Sequence, residues 1–427
     1  MMSDNIVDTF ENPEVKRYFL NVLDRDISAV EKYNKFIEFF KNRAIIENKV
    51  MNRALNQMPT DNSETDKILS AAGQEMGLWD PQKILEETAD SITRAVGRLK
   101  KSQHRDGGWG PSIETSNFWI TCYAVLCLQL AKKLENLKFD VDIDHLIKEG
   151  IGWLQRNPHE WSVESISSIS SIPLYHVSLA IRCFSQSRDK SLQPIDIDKA
   201  IRCLIKSQNA DGGWDASIWG PGILTTTKVY SEVGAVSMAL QALAVIKRKQ
   251  VDFCDSVEKA IHWLIKTQNA DGSWNNGSCS PEGKKYELRG TPVINKTCDA
   301  LQGILVGDTF GIEHNRFKEN IDRAVGWLQD QEKPILDENR KIKGWGWDYG
   351  MNAFEDTCLT LETLVKMPGP SLPLLTSNAN WLINNQHQEK GSDEDGNWKY
   401  GHTARITLSL IEYYKKIKAS PLFIVQG

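Results

Sequence analysis

The chain has 427 residues, of which 25% are charged, and a formal net charge of −5 at pH 7. This balance gives no basic surface, which argues against nucleic-acid binding. No segment approaches the roughly 18 uninterrupted apolar residues of a membrane span, and the N-terminus lacks the features of a signal peptide, so we expect a soluble cytoplasmic protein. The eight cysteines include no Cys-x-x-Cys pair, which favours reduced core thiols.

The first part of the chain differs from the rest in its composition and residue pattern. Residues 12–48 have the pattern of a charged helix with an apolar stripe, and the segment Met58-Pro-Thr-Asp-Asn-Ser63 breaks it. We predict an N-terminal helical extension over residues 1–84 that packs outside the main domain or over its opening. A partner-binding arm is the alternative.

From residue 85 to the C-terminus the chain repeats itself. Six tryptophans recur at intervals of 52, 53, 60, 71 and 53 residues. They are Trp109, Trp161, Trp214, Trp274, Trp345 and Trp398. Periods of this size are typical of stacked supersecondary units that cannot bury their apolar faces alone.

The residues before the tryptophans predict a turn that ends a helix. Clear examples are Gln208-Asn-Ala-Asp-Gly-Gly-Trp214 and Gln268-Asn-Ala-Asp-Gly-Ser-Trp274. Glycine accepts the positive φ that ends a helix, and aspartate bonds the backbone of the turn. We expect the glutamine to cap free backbone groups and the indole to stack over the neighbouring repeat.

An apolar helix rich in small residues follows each turn. The predicted helices are Ile120–Leu130, His176–Phe184, Gly234–Ile246, Thr297–Val306, Asp356–Val365 and Thr403–Tyr413. Each repeat is therefore a helical hairpin, and six hairpins can close into an all-α, single (α/α)6 toroid over residues 85–427. The small-residue helices would form the inner ring around a deep cavity.

The repeated Gln-x-x-Asp-Gly-x-Trp motif, at Gln103, Gln208 and Gln268, resembles the QW repeat of squalene-hopene and oxidosqualene cyclases. The resemblance covers about 340 residues and implies the toroid shared by terpenoid cyclases and protein prenyltransferases. It is closest to class II terpene cyclases, which protonate a linear prenyl chain and guide its ring closure. Such an enzyme would act here on a hydrophobic isoprenoid, and a prenyl diphosphate would reach it through water. A homodimer or a partner subunit would complete its pocket.

The fifth repeat is similar to the segment that carries the acid of these cyclases. In Gly344-Trp-Gly-Trp-Asp-Tyr-Gly-Met-Asn-Ala-Phe-Glu-Asp-Thr-Cys-Leu359, the pair Asp356-Thr357 matches the end of the family motif Asp-x-Asp-Asp-Thr-Ala. The resemblance then implies Glu355 and Asp356 as the catalytic acid, while Ala353 stands in place of the first aspartate. An acid for alkene protonation must be kept protonated by burial or by a second carboxylate.

A cyclase cavity also needs aromatic rings, because their quadrupoles hold a carbocation without quenching it. The candidates at the opening are Phe118, Trp119, Tyr175, Trp219, Tyr230, Trp347, Tyr349, Phe354 and Tyr400. A diphosphate would require cations there, for which the candidates are Lys228, Arg289 and Lys296, with Mg²⁺ as a companion ion.

The same region permits a zinc site. Asp356, Cys358 and His402 resemble the zinc ligands of protein prenyltransferase β subunits, which would imply a zinc-dependent transferase. Two further alternatives are a non-catalytic toroid that binds a hydrophobic ligand and a toroidal glycosidase. Ala353 favours the first of these, and the absence of a distinct separated carboxylate pair argues against the second.

Overall fold

Twelve α-helices make up most of the part of the chain that is described. The computed structural model describes residues 81–111, 115–162, 171–187, 197–219, 230–246, 253–278, 290–336, 342–347, 353–367, 372–385 and 399–419. In chain order the helices are α1 (Pro81–Ser102), α2 (Phe118–Ala131), α3 (Ile143–Arg156), α4 (Leu174–Ser185), α5 (Ile197–Lys206), α6 (Val233–Ile246), α7 (Cys254–Lys266), α8 (Ile294–Thr309), α9 (Lys318–Asp330), α10 (Ala353–Leu364), α11 (Leu372–Asn385) and α12 (Lys399–Lys418).

The even-numbered helices form a closed inner ring. Each packs against the next, from α2 through α4, α6, α8, α10 and α12, and α12 packs back against α2. The odd-numbered helices lie outside this ring, as α3 does on α2, α7 on α8 and α11 on α10. The predicted all-α (α/α)6 toroid is confirmed.

Composition explains which helix lies inside. Helix α6 is apolar and small around its whole circumference, and nearly all of its residues are buried. Outer helix α7 is amphipathic and buries Val257, Ile261 and Leu264 on one face. Each such side chain stabilises the fold by about 1.5–3 kcal/mol when it is fully buried.

Polar contacts between inner helices set their relative depth. Gln241 on α6 donates to the Oε1 of Gln302 on α8 over 3.2 Å, and Gln302 donates to the Oγ1 of Thr363 on α10 over 2.9 Å. These residues lie at similar distances from the starts of their helices. The three helices therefore run in the same direction, with their N-terminal ends at one opening of the toroid.

The repeat tryptophans fasten each turn to the end of its own outer helix. The indole of Trp214 is fully buried, and its Nε1 donates to the carbonyl of Leu204 over 2.8 Å. The same contact joins Trp109 to Leu99, Trp161 to Leu154 and Trp274 to Leu264. The capping of the helix end that was predicted for the glutamine is thus made by the indole, whereas the glutamine donates to the turn and to the next outer helix.

The other residues of the turn connect neighbouring hairpins. Gly212 has the predicted positive φ, 96°, but it lies in a turn that begins at Asn209, after α5 has ended at Lys206. The Nε2 of Gln208 donates to the carbonyls of Gly212 and of Ser256, both over 2.8 Å, and Ser256 lies in the first turn of α7. Asp211 accepts the indole N–H of Trp263 from the same helix. Each turn therefore joins one outer helix to the next.

The tryptophan of the fifth repeat is Trp347, and its prediction as Trp345 was wrong. The Nε1 of Trp347 donates to the carbonyl of Leu328 over 2.7 Å, and its backbone N–H donates to Thr357. Trp345 lies instead on a β-strand inserted before the turn. This insertion hid the repeat, because it lengthens the segment between α9 and α10.

Two short antiparallel pairs accompany the helices. Strands β1 (Ser171–Pro173) and β2 (Ser217–Trp219) pair with each other, as do β3 (Lys333–Leu336) and β4 (Ile342–Gly346). No helix among the described residues is long and apolar enough to cross a membrane. Every cysteine in these residues is a free thiol. Most of the predicted extension over residues 1–84 lies outside the described part, so that domain boundary stays a prediction.

Candidate functional site

Polar side chains from five of the six inner helices converge inside the ring. Asp299 on α8 lies about two turns from its helix start, as do Tyr123 on α2 and Arg405 on α12. Burial raises the pKa of Tyr123, the charges of Arg405 and Arg182 oppose this rise, and those of Glu362 and Asp299 add to it. These four charged groups therefore lie near enough to act on the Tyr123 hydroxyl, and the guanidinium group of Arg405 lies directly over the Tyr123 ring.

Asp299 is the carboxyl group of this cluster that is held toward its protonated form. Burial raises its pKa, the charges of Lys296 and Arg405 oppose the rise, and those of Glu232 and Glu362 reinforce it. The Nζ of Lys296 lies 3.8 Å from Oδ2 of Asp299, and the two side chains are only 19% and 21% exposed. Asp299 thus combines a raised pKa with a neighbouring cation that can stabilise its conjugate base.

Gly234 makes room for groups that reach over α6. A Cβ at this position would lie 2.5 Å from the Nζ of Lys296 and 2.6 Å from the hydroxyl of Tyr175. Tyr175 donates a short hydrogen bond to Oε1 of Glu232. Helix α4 supplies the phenol of Tyr175, the residue before α6 supplies the carboxylate of Glu232, and α8 supplies the amine of Lys296 beside Asp299. The close approach of these groups requires glycine at position 234.

Aromatic rings line the α2 and α4 side of the same space. The ring of Trp119 lies 6.1 Å from that of Tyr175 and 6.3 Å from that of Tyr123. His176 packs against Trp119 at 5.3 Å and against Phe118 at 4.5 Å, and burial lowers the pKa of His176. An uncharged imidazole suits this apolar wall. The predicted Trp119 and Tyr175 lie in one aromatic group, to which the structure adds Tyr123.

The predicted acid pair, Glu355 and Asp356, lies in the first turn of α10. Glu355 is exposed, and its charge contributes to raising the pKa of Arg405, so it faces the ring near the opening. Asp356 lies toward α8, where its charge adds to the effect of burial on Cys298. The two carboxyl groups thus point to different sides of α10, as adjacent helical residues do.

Two other predicted cavity aromatics pack between helical hairpins. Trp347 is fully buried in the fifth turn, so its prediction as a cavity residue was wrong. The ring of Phe354 lies 4.8 Å from that of Trp381 on α11, which places it between inner and outer helices. Both rings fill space between hairpins.

The remaining predicted residues are less fully described. Tyr230 is half-buried, and its backbone N–H donates to Asp215 over 3.1 Å. Trp219 ends β2 and Tyr400 lies in α12, with side chains outside the described part. Lys228, Arg289 and Tyr349 lie outside the described residues.

The protonation state of Cys358 argues against the zinc alternative. Burial raises the pKa of the Cys358 thiol to about 12, whereas a zinc ligand must be a thiolate. Among the described side chains, which exclude that of His402, no group of three or more His, Cys, Asp or Glu could hold a metal ion. The zinc set stays an alternative prediction.

Sequence reasoning missed most of the central cluster. Charged residues lie within the mostly apolar middle of four inner helices, namely Arg182, Asp299, Glu362 and Arg405. Charged residues are almost never fully buried unless they are paired, so a charge within a buried helix is itself a sign of a site. The sequence contains this signal, but the family motif resemblance predicts site residues at positions 353–358 instead.

Comparison with known proteins supports the cyclase resemblance. The family profile of the squalene-hopene cyclase C-terminal domain matches residues 183–348, which is less than half of the chain. Enfumafungin synthase of Hormonema carpetanum is 24% identical over 260 residues, which cover 58% of this chain and 16% of the relative. Squalene–hopene cyclase of Zymomonas mobilis is 23% identical over 293 residues, which cover 62% and 40%. The chain thus spans less than half of the length of either relative.

Solved structures show the same toroid. The type II terpene cyclase MstE from Scytonema, in complex with its substrate geranylgeranyl dihydroxybenzoate, superposes with a TM-score of 0.52 at 13% identity, covering 78% of this chain and 99% of MstE. The α-1,6-mannanase GH76A of Salegentibacter sp. HEL1_6 gives 0.52 at 10% identity, covering 79% and 100%. Similarity at this level shows the fold alone. Together with the sequence matches, it confirms that the chain resembles the terpenoid-cyclase toroids, and squalene-hopene-cyclase-like class II terpene cyclases in particular.

Proposed function

We propose that the protein is a class II-type terpene cyclase that protonates and cyclises a linear prenyl substrate inside the barrel. The observation that carries this proposal is Asp299, a buried carboxyl group with a raised pKa that shares its space with Tyr123. Protonation of an alkene requires a carboxylic acid that is kept protonated, together with a site that tolerates the resulting cation. Both requirements are supported at this one place.

In this mechanism the Asp299 carboxyl group gives its proton to the less substituted carbon of the terminal alkene of the substrate. The π electrons of that alkene form the new C–H bond and leave a tertiary carbocation, which the next double bond attacks to close a ring. The Asp299 carboxylate that remains lies near the Lys296 ammonium group, which lowers the free energy of the charged state. Loss of a proton from the final cation to a base or water ends the reaction.

The aromatic group supports the cationic intermediates. Trp119, Tyr123 and Tyr175 present electron-rich rings from α2 and α4, while Asp299 comes from α8. In the closed ring α8 lies opposite α2, so Asp299 and the rings of Trp119 and Tyr123 come from opposite sides of the ring, whereas the Tyr175 hydroxyl lies close to Asp299 beside Gly234. A carbocation formed near Asp299 would then migrate toward rings that stabilise it by about 0.5–2 kcal/mol each.

Asp299 is preferred over Glu355 and Asp356 as the acid. Glu355 is exposed and so lacks the burial that would keep it protonated. Both residues also lie in the first turn of α10, where the helix dipole favours the carboxylate form. We assign them a place at the cavity opening.

The test is turnover of geranyl, farnesyl and geranylgeranyl diphosphates with Mg²⁺, followed by phosphatase treatment and mass spectrometry of the products. General acid catalysis contributes about 10²–10⁴-fold, so Asp299→Asn should lower cyclisation by at least ~100-fold. The matched control is the double variant Glu355→Gln/Asp356→Asn, which should retain activity within about tenfold if its residues do not donate the proton. Helical circular dichroism should be unchanged in both.

Two results would reject parts of this proposal. Loss of activity in the double variant with full activity in Asp299→Asn would move the acid to Glu355 and Asp356. Absence of any cyclic product from the diphosphates and from squalene would reject the cyclase. Stoichiometric zinc by elemental analysis without cyclisation would favour the transferase alternative.

A further inference from the structure

The guanidinium group of Arg405 is a buried cation without a polar partner in the described part of the chain. Its Nε is buried and has no hydrogen-bond acceptor, and no carboxylate oxygen of the described residues lies within ion-pair distance. Its one close contact is with the ring of Tyr123, whose centroid lies 4.9 Å from Cζ. Stacking on the ring uses none of the guanidinium N–H donors, and the buried Nε–H in particular has no acceptor.

An unpaired buried charge is costly, so it requires an explanation. The nearby carboxylate of Glu362 is already engaged, because its Oε1 accepts a 3.2 Å hydrogen bond from Lys366. Burial opposes ionisation of Glu362, but Lys366, Arg405 and Arg182 outweigh it and lower the pKa of Glu362. Glu362 therefore moderates the positive charge of this region without pairing with Arg405.

Arg182 on α4 adds a second cation to the same space. Its charge acts on Tyr123 and on Glu362, and its side chain also makes no hydrogen bond or ion pair within the described residues. The carboxyl groups of Glu362, Glu355 and Asp299 act on Arg405 from a distance, but Lys366 engages Glu362, Lys296 lies beside Asp299, and none of the three pairs with Arg405. This part of the cavity is therefore suited to an anion.

We infer that Arg405, with Arg182, binds an oxyanion head group of the substrate inside the barrel. The inference rests on the proposed function and names the substrate class, a prenyl chain that ends in a carboxylate or a phosphate. Guanidinium groups bind both kinds of head through paired N–H···O contacts. The ring of Tyr123 fixes the plane of the Arg405 guanidinium and so prepares its donors for the ligand.

The depth of Arg405 separates this site from the predicted diphosphate cations at the opening. Lys296 lies nearer the start of its helix and has Asp299 beside it, so it is not an unpaired cation. A head group held by Arg405 would be anchored below the opening, at about the same depth as Asp299. The prenyl tail would then fold back across the aromatic wall toward Asp299.

The experiment measures binding to the purified full-length chain by calorimetry, with farnesyl diphosphate, farnesoic acid, farnesol and inorganic phosphate as probes. Wild type should bind at least one prenyl anion at least tenfold more tightly than farnesol, and inorganic phosphate only weakly. Diphosphate and carboxylate probes distinguish the two head groups. Equal affinity for farnesol and both anionic probes would overturn the inference.

Substitution of Arg405 provides the second readout. Arg405→Met should weaken binding of the preferred anion by about 10–100-fold, leave farnesol binding unchanged, and leave the ligand-free melting temperature equal or higher, because an unpaired buried charge is removed. Arg405→Lys keeps the charge without the fork and should lose less affinity. A lower melting temperature with unchanged anion affinity would show a purely structural role and overturn the inference.

A matched control is Arg316→Met. Arg316 stacks on Phe317 with Cζ 5.8 Å from the ring centroid, but it lies on the outside and pairs with Glu258. Its removal should leave all probe affinities unchanged. Asp299→Asn should abolish cyclisation while it leaves anion affinity within about threefold, so failure of the acid assignment and failure of the head-group site are distinguishable.

Discussion

The repeat turns and the inner faces of the even-numbered helices follow opposite rules. In the turns the same four residue types recur, namely glutamine, aspartate, glycine and tryptophan. They make the same contacts, as when the indoles of Trp214 and Trp274 donate to the carbonyls of Leu204 and Leu264. On the inner faces the charged residues do not follow the repeat: Asp299 has no counterpart at the same depth in α6 or α4. The repeated features therefore stabilise the toroid, and the departures from the repeat provide the chemistry.

The largest expected effect comes from a repeat tryptophan. Trp214→Ala removes a fully buried ring and leaves the carbonyl of Leu204 without its donor, which should destabilise the fold by about 3–5 kcal/mol. Thermal unfolding followed by circular dichroism measures it. Trp119→Ala is the control: it should cost clearly less stability but lower turnover. Equal destabilisation by both variants would show that Trp119 contributes to packing as much as a repeat tryptophan does.

A glycine in the turn should show the next largest effect. Gly212→Ala forces a side chain to φ of 96° and places its Cβ 2.7 Å from the carbonyl oxygen of Lys259, so we expect a loss of about 2 kcal/mol. Gly97→Ala in α1 is the matched control. No atom lies within 4 Å of its added Cβ, and it should stabilise the helix by about 0.5–1 kcal/mol. Melting temperatures that shift in the same direction would contradict this.

The glutamine link between hairpins should matter less. Gln268→Ala removes hydrogen bonds to the carbonyls of Gly272 and of Asn320 over 2.9 and 2.8 Å, the second on the next outer helix. About 1–2 kcal/mol should be lost, and hydrogen exchange should increase first at the start of α9. A uniform increase across the toroid would show that the link is not local.

The smallest effect concerns the pH dependence of stability, where Asp299 and Glu362 should act with opposite signs. The folded pKa of Asp299 is raised, so stability is lost as pH rises from about 4 through that pKa, and Asp299→Asn should abolish this loss. The folded pKa of Glu362 is lowered, so its contribution is present above about 4.3 and is lost as pH falls through the folded pKa. Glu362→Gln should flatten that acidic limb. Melting temperatures measured from about pH 3 to 8 check the sign of the pH dependence for each residue. If neither variant changed the pH profile, both carboxyl groups would be exposed to solvent.

Part of the fold could be predicted from the sequence of the six repeats. The turn glycines, the inner helices and their order follow from local patterns, because helix ends and apolar periodicity depend on neighbours in the chain. The fifth tryptophan was misassigned because the β3–β4 insertion changes the spacing, and spacing was the evidence.

By itself the sequence determined the closed ring of six hairpins, since each apolar inner helix can be buried only against its neighbours. Only the tertiary structure decided the site. Tyr123, Asp299 and Arg405 are far apart in the chain, and closure of α12 onto α2 brings their charges together. Burial inside that ring then raises the pKa of Asp299, and this environment has no counterpart in the local sequence.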